Sequence, residues 1–547
     1  MNSPSGLDRL PEAPRVTDAL LERVAGDYER FARAGLPPRL EDYLLDEYRL
    51  DVATTYAGLP IPNPWGKASG QLSMTGRQVQ EDVDGGLGFV VLKTVIAQDA
   101  SGAQSMHAWA IREARMVAER IVGQSGEEGW TISWKGRGWW QSFDEYLELI
   151  RDAQRIARGT GTLIVPSCKY HLPTPDESDW KVAEYEYTTR RLLEAWHDGW
   201  LGQSEGWLGQ SAAVPQQRTT RNPGASQSLS PSHPPPPLAT RSPMPLEKDF
   251  SPTLAGSDRA VQQAKILEWM RTVPRLIRES AAASAVPTPT RRTEFHSVGD
   301  PGDAHIPGEA LEPRATSFGT GGRSGTPSYG PVRVGLKIFN AMFDDAFQLE
   351  MLRTIHEPGP GRPDFFVYAN RLFDPSREFD GHRGIAYGGP DLSDRNLRVM
   401  TRFAAAGGPP AAASDEPVAA GGPPAAEAGD ASDAKQPPDG TPITRCGMEW
   451  SATGNITTGK MALEYALRGA TSFQLHTFFQ LPTDQYAMTS GSRTQRALLE
   501  LYFHPRTGFV VWMHHLAAAL GLPGDRVRFV DVAGRLERIA GDAPASR

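Results

Sequence analysis

The chain has 547 residues, 39% of them hydrophobic, and a formal net charge of −8 at pH 7. This negative balance argues against a basic surface for nucleic acid or anionic lipid. Two cysteines, Cys168 and Cys446, are too few for an iron–sulfur cluster or a four-cysteine zinc site built by this chain alone. The scarcity of cysteine, the polar start and the lack of a long apolar run predict a cytoplasmic protein with no membrane span.

Ahead of the main domain, residues 16–50 show the pattern of two amphipathic helices. Both carry many acidic residues, whereas a helix that lies on a membrane favours Lys and Arg on its polar face. We therefore assign residues 1–50 to a helical extension that acts as a soluble cap, or as a plug at the bottom of the following domain.

From residue 51 onward, apolar strand-like runs alternate with amphipathic helix-like segments. The predicted strands lie around Ala68 (after Asn63-Pro64) and at 89–95, 162–168, 245–250, 332–339, 365–370, 446–453 and 472–478. The predicted helices lie at 75–84, 143–157, 179–196, 260–280, 343–355, 394–403 and 459–468, followed by a last helical region at 494–520.

Eight strands with eight following helices predict an α/β fold, a (β/α)8 TIM barrel. An open doubly wound sheet is the alternative, but it usually has fewer strands and carries its phosphate-binding glycines after the first strand. Here the Gly-containing corners follow the seventh and eighth strands, as in phosphate-binding barrels. We predict that the barrel spans 51–520 and that 521–547 form a C-terminal tail.

Three segments interrupt this alternation, at about 203–241, 283–329 and 404–440. They are rich in Pro, Gly, Ser, Thr, Gln or Ala and have too few large apolar side chains to offset the entropy of ordering. We interpret them as disordered insertions tolerated on surface loops, with docking of a partner on proline-rich tracts as the alternative.

The stretch 451–478 is the most informative part of the chain. It contains a strand end, the corner Thr453-Gly454-Asn455, a helix capped by Thr457 or Thr458, and a second corner at Gly469 before another strand. Two neighbouring corners poor in side chains make a phosphate grip at the mouth of a barrel. A generic βαβ unit with glycines at its turns shows the same pattern, so the stretch alone leaves both interpretations open.

Six short motifs extend this observation. They are GLPIPNPWGKASG (58–70), GG with VLKTV (85–95), VGLK (334–337), VYAN (367–370), IAYGGP (385–390), and ATGNI with GA and QLHT (452–477). In this order they resemble the motifs of the dihydroorotate dehydrogenase family, including the related flavin domain of dihydropyrimidine dehydrogenase. The resemblance covers roughly residues 50 to 480, apart from the insertions.

The resemblance implies an FMN-binding barrel. A cation near the N1/C2-carbonyl edge of the flavin favours the reduced anion, and Lys93 or Lys337 at a strand end can supply it. A solvated strand terminus is the alternative for either lysine. The residues that the resemblance implies for FMN binding are Ala68, Ser69, Gly70, Lys93, Thr94, Lys337, Asn370, Gly388, Gly389, Thr453, Gly454, Asn455, Gln474, His476 and Thr477.

The substrate motif matches less well. The family's fourth strand ends in N-x-S-(C/S)-P-N, where the Cys or Ser removes a proton, and the corresponding stretch here is LEKDFSPT at 246–253. Ser251 is the implied catalytic base, acting with Lys93 and Lys337, while Asp249 and Thr253 replace asparagines. A plain strand-to-loop stop is the alternative for Ser251.

Other departures concern the surroundings of the site. His476 stands where the family usually has Gly, and Arg371 stands where it has a small hydroxyl residue. The family's substrate loop is replaced by the aromatic and basic stretch 134–140, which could be a lid or could receive a larger or acidic substrate. Cys168 is interpreted as a packing residue of the third strand. It could form half of a metal site with His171, but the sequence has no second pair of ligands to complete such a site. No metal is expected.

The leading hypothesis is an FMN-dependent oxidoreductase of pyrimidine metabolism. It would move a hydride between a C–C bond of a small cyclic, dihydropyrimidine-like substrate and flavin N5. Its electron acceptor would be a quinone, a soluble acceptor or a partner chain, and a homodimer is compatible with the resemblance. The alternative hypothesis is a catalytically degenerate FMN barrel that acts as a scaffold through its proline-rich arms.

Overall fold

The computed structural model describes residues 10–112, 116–134, 138–201, 242–250, 258–283, 332–340, 343–406 and 447–536. The insertions predicted at about 203–241, 283–329 and 404–440 lie almost wholly outside these ranges, and Ser251 and Cys446 also lie outside them.

Eight parallel strands of the described chain close into a ring. The ring closes because the last strand pairs with the first, Phe473 opposite Trp65. Pro166 divides the third strand into two pieces, of which one pairs with the second strand and the other with the fourth. The barrel strands 1 to 8 are Trp65–Lys67, Phe89–Val91, Leu163–Val165 with Ser167–Lys169, Met244–Asp249, Val332–Phe339, Phe365–Asn370, Glu449–Thr453 and Ser472–Leu475.

Helices surround the strands. A helix follows each barrel strand along the chain, as the alternating sequence pattern predicts. The described helices are α1 Asp18–Ala34, α2 Leu40–Tyr48, α3 Gly76–Asp84, α4 Phe143–Ile156, α5 Val182–Leu201, α6 Arg259–Ala283, α7 Asp345–His356, α8 Pro390–Ala405, α9 Gly459–Leu467, α10 Arg493–Phe503 and α11 Phe509–Ala519.

The predicted (β/α)8 barrel is confirmed, and its closure excludes the open doubly wound sheet. Strands 5 and 6 have the bounds that the sequence predicts. The helical region predicted at 494–520 is confirmed, and it consists of two helices, α10 and α11. His504 has φ −56° and ψ 124°, the extended conformation that a residue before proline prefers, so α10 ends there before Pro505.

The N-terminal helices α1 and α2 lie on the outside of the barrel. The Tyr28 hydroxyl donates to the Glu500 carboxylate at 2.7 Å, and the Phe31 ring meets Phe503 edge-on at 5.1 Å. Both partners belong to α10, so α1 packs against the outer helices of the barrel.

A short hairpin packs into the bottom of the barrel. Its strands Thr54–Tyr56 and Leu59–Ile61 pair antiparallel, and the Tyr56 ring stacks on Phe89 inside the barrel at 4.3 Å. The rings of Phe89 and Phe365 fill the space beside strands 1 and 5. A Cβ atom at Gly66 would lie 2.2 Å from Phe89, and one at Gly335 would lie 2.1 Å from Phe365, so both positions need glycine.

The end of the described chain also packs on the barrel. Within the segment predicted as a tail, Val527–Arg528 pairs in parallel with Leu50–Asp51. Phe529 and Val532 are fully buried, and Phe529 lies against Phe473 of strand 8 with ring centroids 5.7 Å apart. Residues 522–536 therefore belong to the folded body.

Two antiparallel hairpins that the sequence analysis missed follow strands 2 and 6. They comprise Met116–Val122 with Glu128–Trp134, and Leu372–Phe379 with His382–Tyr387. The Gly388 N–H donates to the Thr131 hydroxyl at 2.9 Å, and Arg377 pairs with Glu119 at 2.9 Å. These contacts join the two hairpins to each other.

None of the described helices combines the length and the apolar character that crossing a membrane would need.

A buried ion pair ties strand 1 to α3. Lys67 Nζ lies 2.8 Å from Asp82 Oδ1, and both side chains are 3% exposed. The same oxygen accepts a hydrogen bond from the Thr494 hydroxyl of α10 at 2.6 Å, and Lys67 Nζ lies 3.8 Å from the Phe479 ring centroid. Three elements therefore depend on this one pair of charges.

We predict that Lys67→Met lowers the free energy of unfolding by about 3–5 kcal/mol, because it leaves the Asp82 carboxylate buried without its counter-charge. Urea denaturation measures the loss. The matched control is Arg77→Met in the same helix, whose ion pair with Glu81 is exposed and whose loss should cost at most about 1 kcal/mol. Equal small losses for the two variants would contradict the prediction.

Candidate active site

A cavity of about 170 Å³ opens at the carboxyl ends of the barrel strands. This is the end at which (β/α)8 barrels carry their active sites. The structure brings all fifteen residues predicted for cofactor binding to the wall of this cavity: Ala68, Ser69, Gly70, Lys93, Thr94, Lys337, Asn370, Gly388, Gly389, Thr453, Gly454, Asn455, Gln474, His476 and Thr477.

The corner after strand 7 presents backbone amides to the cavity. Gly454 has φ 110° and Asn455 has φ 51°. The carbonyls of Thr453 and Gly454 are held from behind, by Asn396 Nδ2 at 2.9 Å and by the Tyr465 hydroxyl at 3.0 Å. Among the described residues, the N–H groups of Gly454 and Asn455 donate no hydrogen bond. The corner therefore offers donors to an anion.

The N-terminus of α8 lies beside this corner. The helix begins at Pro390 after Gly389, whose φ of 92° suits glycine. Asn455 Nδ2 donates to the Ser393 hydroxyl at 3.0 Å, which fixes the corner against the first turn of α8. The dipole of α8 adds partial positive charge at this end of the cavity.

Lys337 is held by a buried network at the centre of the barrel. Its Nζ donates to Gln474 Oε1 at 3.0 Å and lies 3.3 Å from Glu247 Oε1. Glu247 is fully buried and accepts hydrogen bonds from Gln474 Nε2 at 2.6 Å and from the Tyr56 hydroxyl at 3.1 Å. Burial and the Glu247 charge raise the pKa of Tyr56 well above its usual value, which keeps the phenol as a donor.

Lys93 and Lys169 form a second group of charges with Asp249. Lys169 Nζ lies 2.9 Å from Asp249 Oδ2 and 4.1 Å from the centroid of the Trp109 ring. Burial together with the positive charges of Lys169 and Lys337 lowers the pKa of Lys93 to about 8, although Asp249 opposes the shift. Burial raises the pKa of Asp249, but the surrounding lysines outweigh it and hold that pKa at about 2.

His476 packs against the loop after strand 1. A Cβ atom at position 70 would lie 2.3 Å from His476 Nε2, so the imidazole needs glycine at that position. Burial and the nearby charges of Arg371 and Lys93 lower the pKa of His476 to about 3. His476 is therefore neutral at physiological pH and adds no charge to the cavity.

A chain of hydroxyls and an amide complete the polar wall. Ser69 Oγ lies 2.7 Å from Thr94 Oγ1, which lies 3.0 Å from Ser167 Oγ. Asn370 Oδ1 accepts the Arg371 N–H at 3.2 Å. These groups bring the ends of strands 1, 2, 3 and 6 into one polar surface.

Sequence reasoning missed several residues of the wall. Lys169 lies two residues after Ser167 at the end of strand 3, where its position after an apolar run was the available signal. Trp109 had no recognised signal, because it lies on a short 3₁₀ turn, His107–Trp109. The lining residues not predicted for the cofactor are Gln71, Trp109, Lys169, Asp249, Ala369, Arg371, Leu392, Ile456, Thr457, Leu475 and Phe478.

Other sequence predictions fall elsewhere. Ser251 lies outside the described residues, two positions after Asp249. Cys168 is fully buried on strand 3, and His171 Nε2 lies 3.3 Å from Glu177 Oε2. The stretch 134–140 is described only in part. Within it, the Trp139 side chain is buried, and the backbone N–H of Trp139 donates to the Thr94 carbonyl at 2.7 Å. In the described ranges no group of three or more His, Cys, Asp or Glu is placed to hold a metal ion.

No family model and no curated protein matches the chain. Among solved structures, the chain is similar to DHODH in complex with ferulenol from Eimeria tenella, with a TM-score of 0.48 and 11% sequence identity over 97% of this chain and 98% of that chain. This is the family whose motifs the sequence resembles. At these values the likeness carries no argument about function or ligands, and the barrel rests on the strand pairing described above.

Two substitutions beside Lys93 are predicted to shift its pKa in opposite directions. Asp249→Asn removes a carboxylate that favours protonated Lys93, so the pKa of Lys93 should fall below about 8. Lys169→Met removes a neighbouring positive charge and frees Asp249 to face Lys93, so the pKa should rise. NMR titration of ¹³C-methylated lysines measures both, with the Lys93 signal assigned by its loss in Lys93→Arg. Shifts of the same sign in both variants would show that the charges do not act as described.

Proposed function

We propose that this protein is an FMN-dependent dehydrogenase that resembles dihydroorotate dehydrogenase and acts on a CH–CH bond of a small cyclic, dihydropyrimidine-like substrate. One observation carries the proposal. Fifteen residues that sequence motifs assign to FMN, spread from Ala68 to Thr477, line a single cavity at the barrel mouth.

The residues at one end of the cavity fit a phosphate group. The amides of Gly454 and Asn455 and the N-terminus of α8 supply donors and partial positive charge in the same place. A Cβ atom at position 454 would lie 2.9 Å from Leu392 Cγ, so this corner needs glycine at that position. We assign the FMN phosphate to this end.

The residues at the barrel centre fit the ring of FMN, which when bound would supply the hydride acceptor. Lys337 provides a positive charge that Glu247 and Gln474 hold in place. A charge fixed in this way needs little reorganisation when negative charge develops beside it. Lys93 contributes a second amine to the same wall.

The substrate would lie between these lysines and the ends of strands 3, 4 and 6. Asn370 supplies an amide, and Trp109 supplies an aromatic face beside the Lys169–Asp249 pair. Ser251 is proposed as the base, because it follows Asp249 by two residues and Asp249 lines the cavity. The electron acceptor is proposed to be a quinone, a soluble acceptor or a partner chain, in a cytoplasmic enzyme of pyrimidine metabolism that is compatible with a homodimer.

A catalytically degenerate FMN barrel is the second candidate. The observation that favours it is the Lys169–Asp249 ion pair at the end of strand 4, where the family motif has an asparagine for the substrate. In that case the barrel would retain the cofactor wall without turnover, and the segments rich in proline would carry the function.

The full-length protein is expected to purify yellow, and heat is expected to release FMN, identified by chromatography against FMN, FAD and riboflavin standards. Dihydroorotate or 5,6-dihydrouracil should bleach the bound flavin without oxygen, and an added quinone or oxygen should restore the colour. Flavin that no dihydropyrimidine bleaches would favour the degenerate barrel. A colourless protein that takes up no FMN would disprove the proposal.

Ser251→Ala should retain FMN and lower the rate of flavin reduction by substrate by about 10²–10⁴-fold, because a positioned base contributes on that order. Stopped-flow absorbance measures the rate. Ser257→Ala in the same segment is the control and should reduce at the rate of the unmodified protein. An unchanged rate in Ser251→Ala would remove Ser251 from the role of base.

A further inference from the structure

Glu247 is a buried carboxylate that lies one layer below the floor of the cavity. Strand 4 ends at Asp249, which lines the cavity, and Glu247 precedes it by two residues on the same face of the strand. Glu247 has no exposure to solvent and takes no part in the cavity wall. Its charge can therefore influence a bound ligand without touching it.

Two partners of this carboxylate do line the cavity. Lys337 Nζ lies 3.3 Å from Glu247 Oε1, and Gln474 Nε2 donates to Glu247 Oε2 at 2.6 Å. The Tyr56 hydroxyl of the bottom hairpin donates to the same Oε2 at 3.1 Å. The ammonium and both neutral donors favour the carboxylate over the neutral acid, so Glu247 brings a negative charge to the centre of the barrel.

This negative charge lies beside the cation that the site offers to a flavin ring. Opposite charges a few ångströms apart cancel in part at longer range, and burial keeps solvent from screening either of them. Negative charge that develops above Lys337 is therefore stabilised by the ammonium and destabilised, more weakly, by the carboxylate behind it. Without the charge of Glu247, the same ammonium would favour the reduced flavin more strongly.

We propose that Glu247 is a positioning residue that also offsets part of the Lys337 charge, and that it thereby lowers the reduction potential of the bound flavin. This inference rests on the proposed function, since it requires that the cavity holds a flavin. It assigns a role to Glu247 and to its donor Tyr56, neither of which belongs to the residues that the sequence motifs imply for FMN. A lower potential makes the reduced flavin a stronger donor to its electron acceptor.

The experiment measures the reduction potential of FMN bound to the full-length protein, by equilibration with reference dyes. Glu247→Gln keeps the size of the side chain and removes its charge, so the ratio of reduced to oxidised flavin at a fixed potential should rise. We expect a rise of about tenfold, which corresponds to about 30 mV for a two-electron couple.

Tyr56→Phe is the second variant, and it changes the network without removing the carboxylate. The aromatic ring that stacks on Phe89 is kept, so this variant tests the inference even if Glu247→Gln does not fold. Loss of the hydroxyl removes a donor that disperses the Glu247 charge, so the ratio of reduced to oxidised flavin should fall by about threefold. A network that was merely loosened would shift both variants in the same direction.

Glu449→Gln is the matched control. It removes another carboxylate of the barrel, at the start of strand 7, whose oxygens accept hydrogen bonds from the Gly58 N–H at 2.5 Å and from the Thr471 hydroxyl at 3.2 Å. The ratio of reduced to oxidised flavin should stay within about twofold of the unmodified protein.

The possible outcomes separate the inference from the proposed function. A Glu247→Gln variant whose ratio falls or stays the same overturns the inference, and so does a Tyr56→Phe variant whose ratio rises or stays the same. In both cases the protein still binds FMN and the proposed function stands. Unmodified protein that takes up no FMN overturns the proposed function and the inference with it.

Discussion

A single buried carboxylate, Glu247, connects the parts of this molecule that the candidate site depends on. It lies on strand 4 without exposure to solvent, and its oxygens meet Lys337 of strand 5, Gln474 of strand 8 and Tyr56 of the bottom hairpin. A buried charge is tolerated only when partners surround it, so each of these elements must be in place before Lys337 has a fixed position. The contacts that close the barrel therefore also fix the orientation of the Lys337 amine.

The cavity above this network has two ends of different character. One end offers amides and the start of α8, and the two linked hairpins cover it. The other end holds Lys93, Lys169 and Asp249, where burial and the Lys169 charge lower the pKa of Lys93, and the lysine charges lower the pKa of Asp249 against the effect of its burial. Amides bind an anion without titrating, whereas amines near a carboxylate can change protonation with their surroundings. The first end therefore suits a permanent ligand and the second suits a group that changes charge.

The described chain also separates the site from the positions of the long insertions. The gaps 202–241, 284–331 and 407–446 each join the end of a helix to the start of strand 4, 5 or 7. In a (β/α)8 barrel the helix ends and strand starts that flank these gaps lie on the face opposite the active site. Each of the three gaps therefore begins and ends on the face opposite the cavity, whose wall includes residues as distant as Ala68 and Thr477.

Local patterns in the sequence determined the barrel strands, their helices and the glycine corner after strand 7, because hydrophobic period and turn chemistry act over a few residues. The fifteen residues that the resemblance implied line one cavity because their motifs lie at strand ends, which a closed barrel gathers at one face. The tertiary structure alone decided how the two mouth hairpins meet, the Lys169–Asp249 pair and the place of Arg371. The contact between the hairpins, the Lys169–Asp249 pair and the place of Arg371 each join residues 80 or more positions apart, and no local pattern encodes which distant carbonyl, hydroxyl or carboxylate a group will meet.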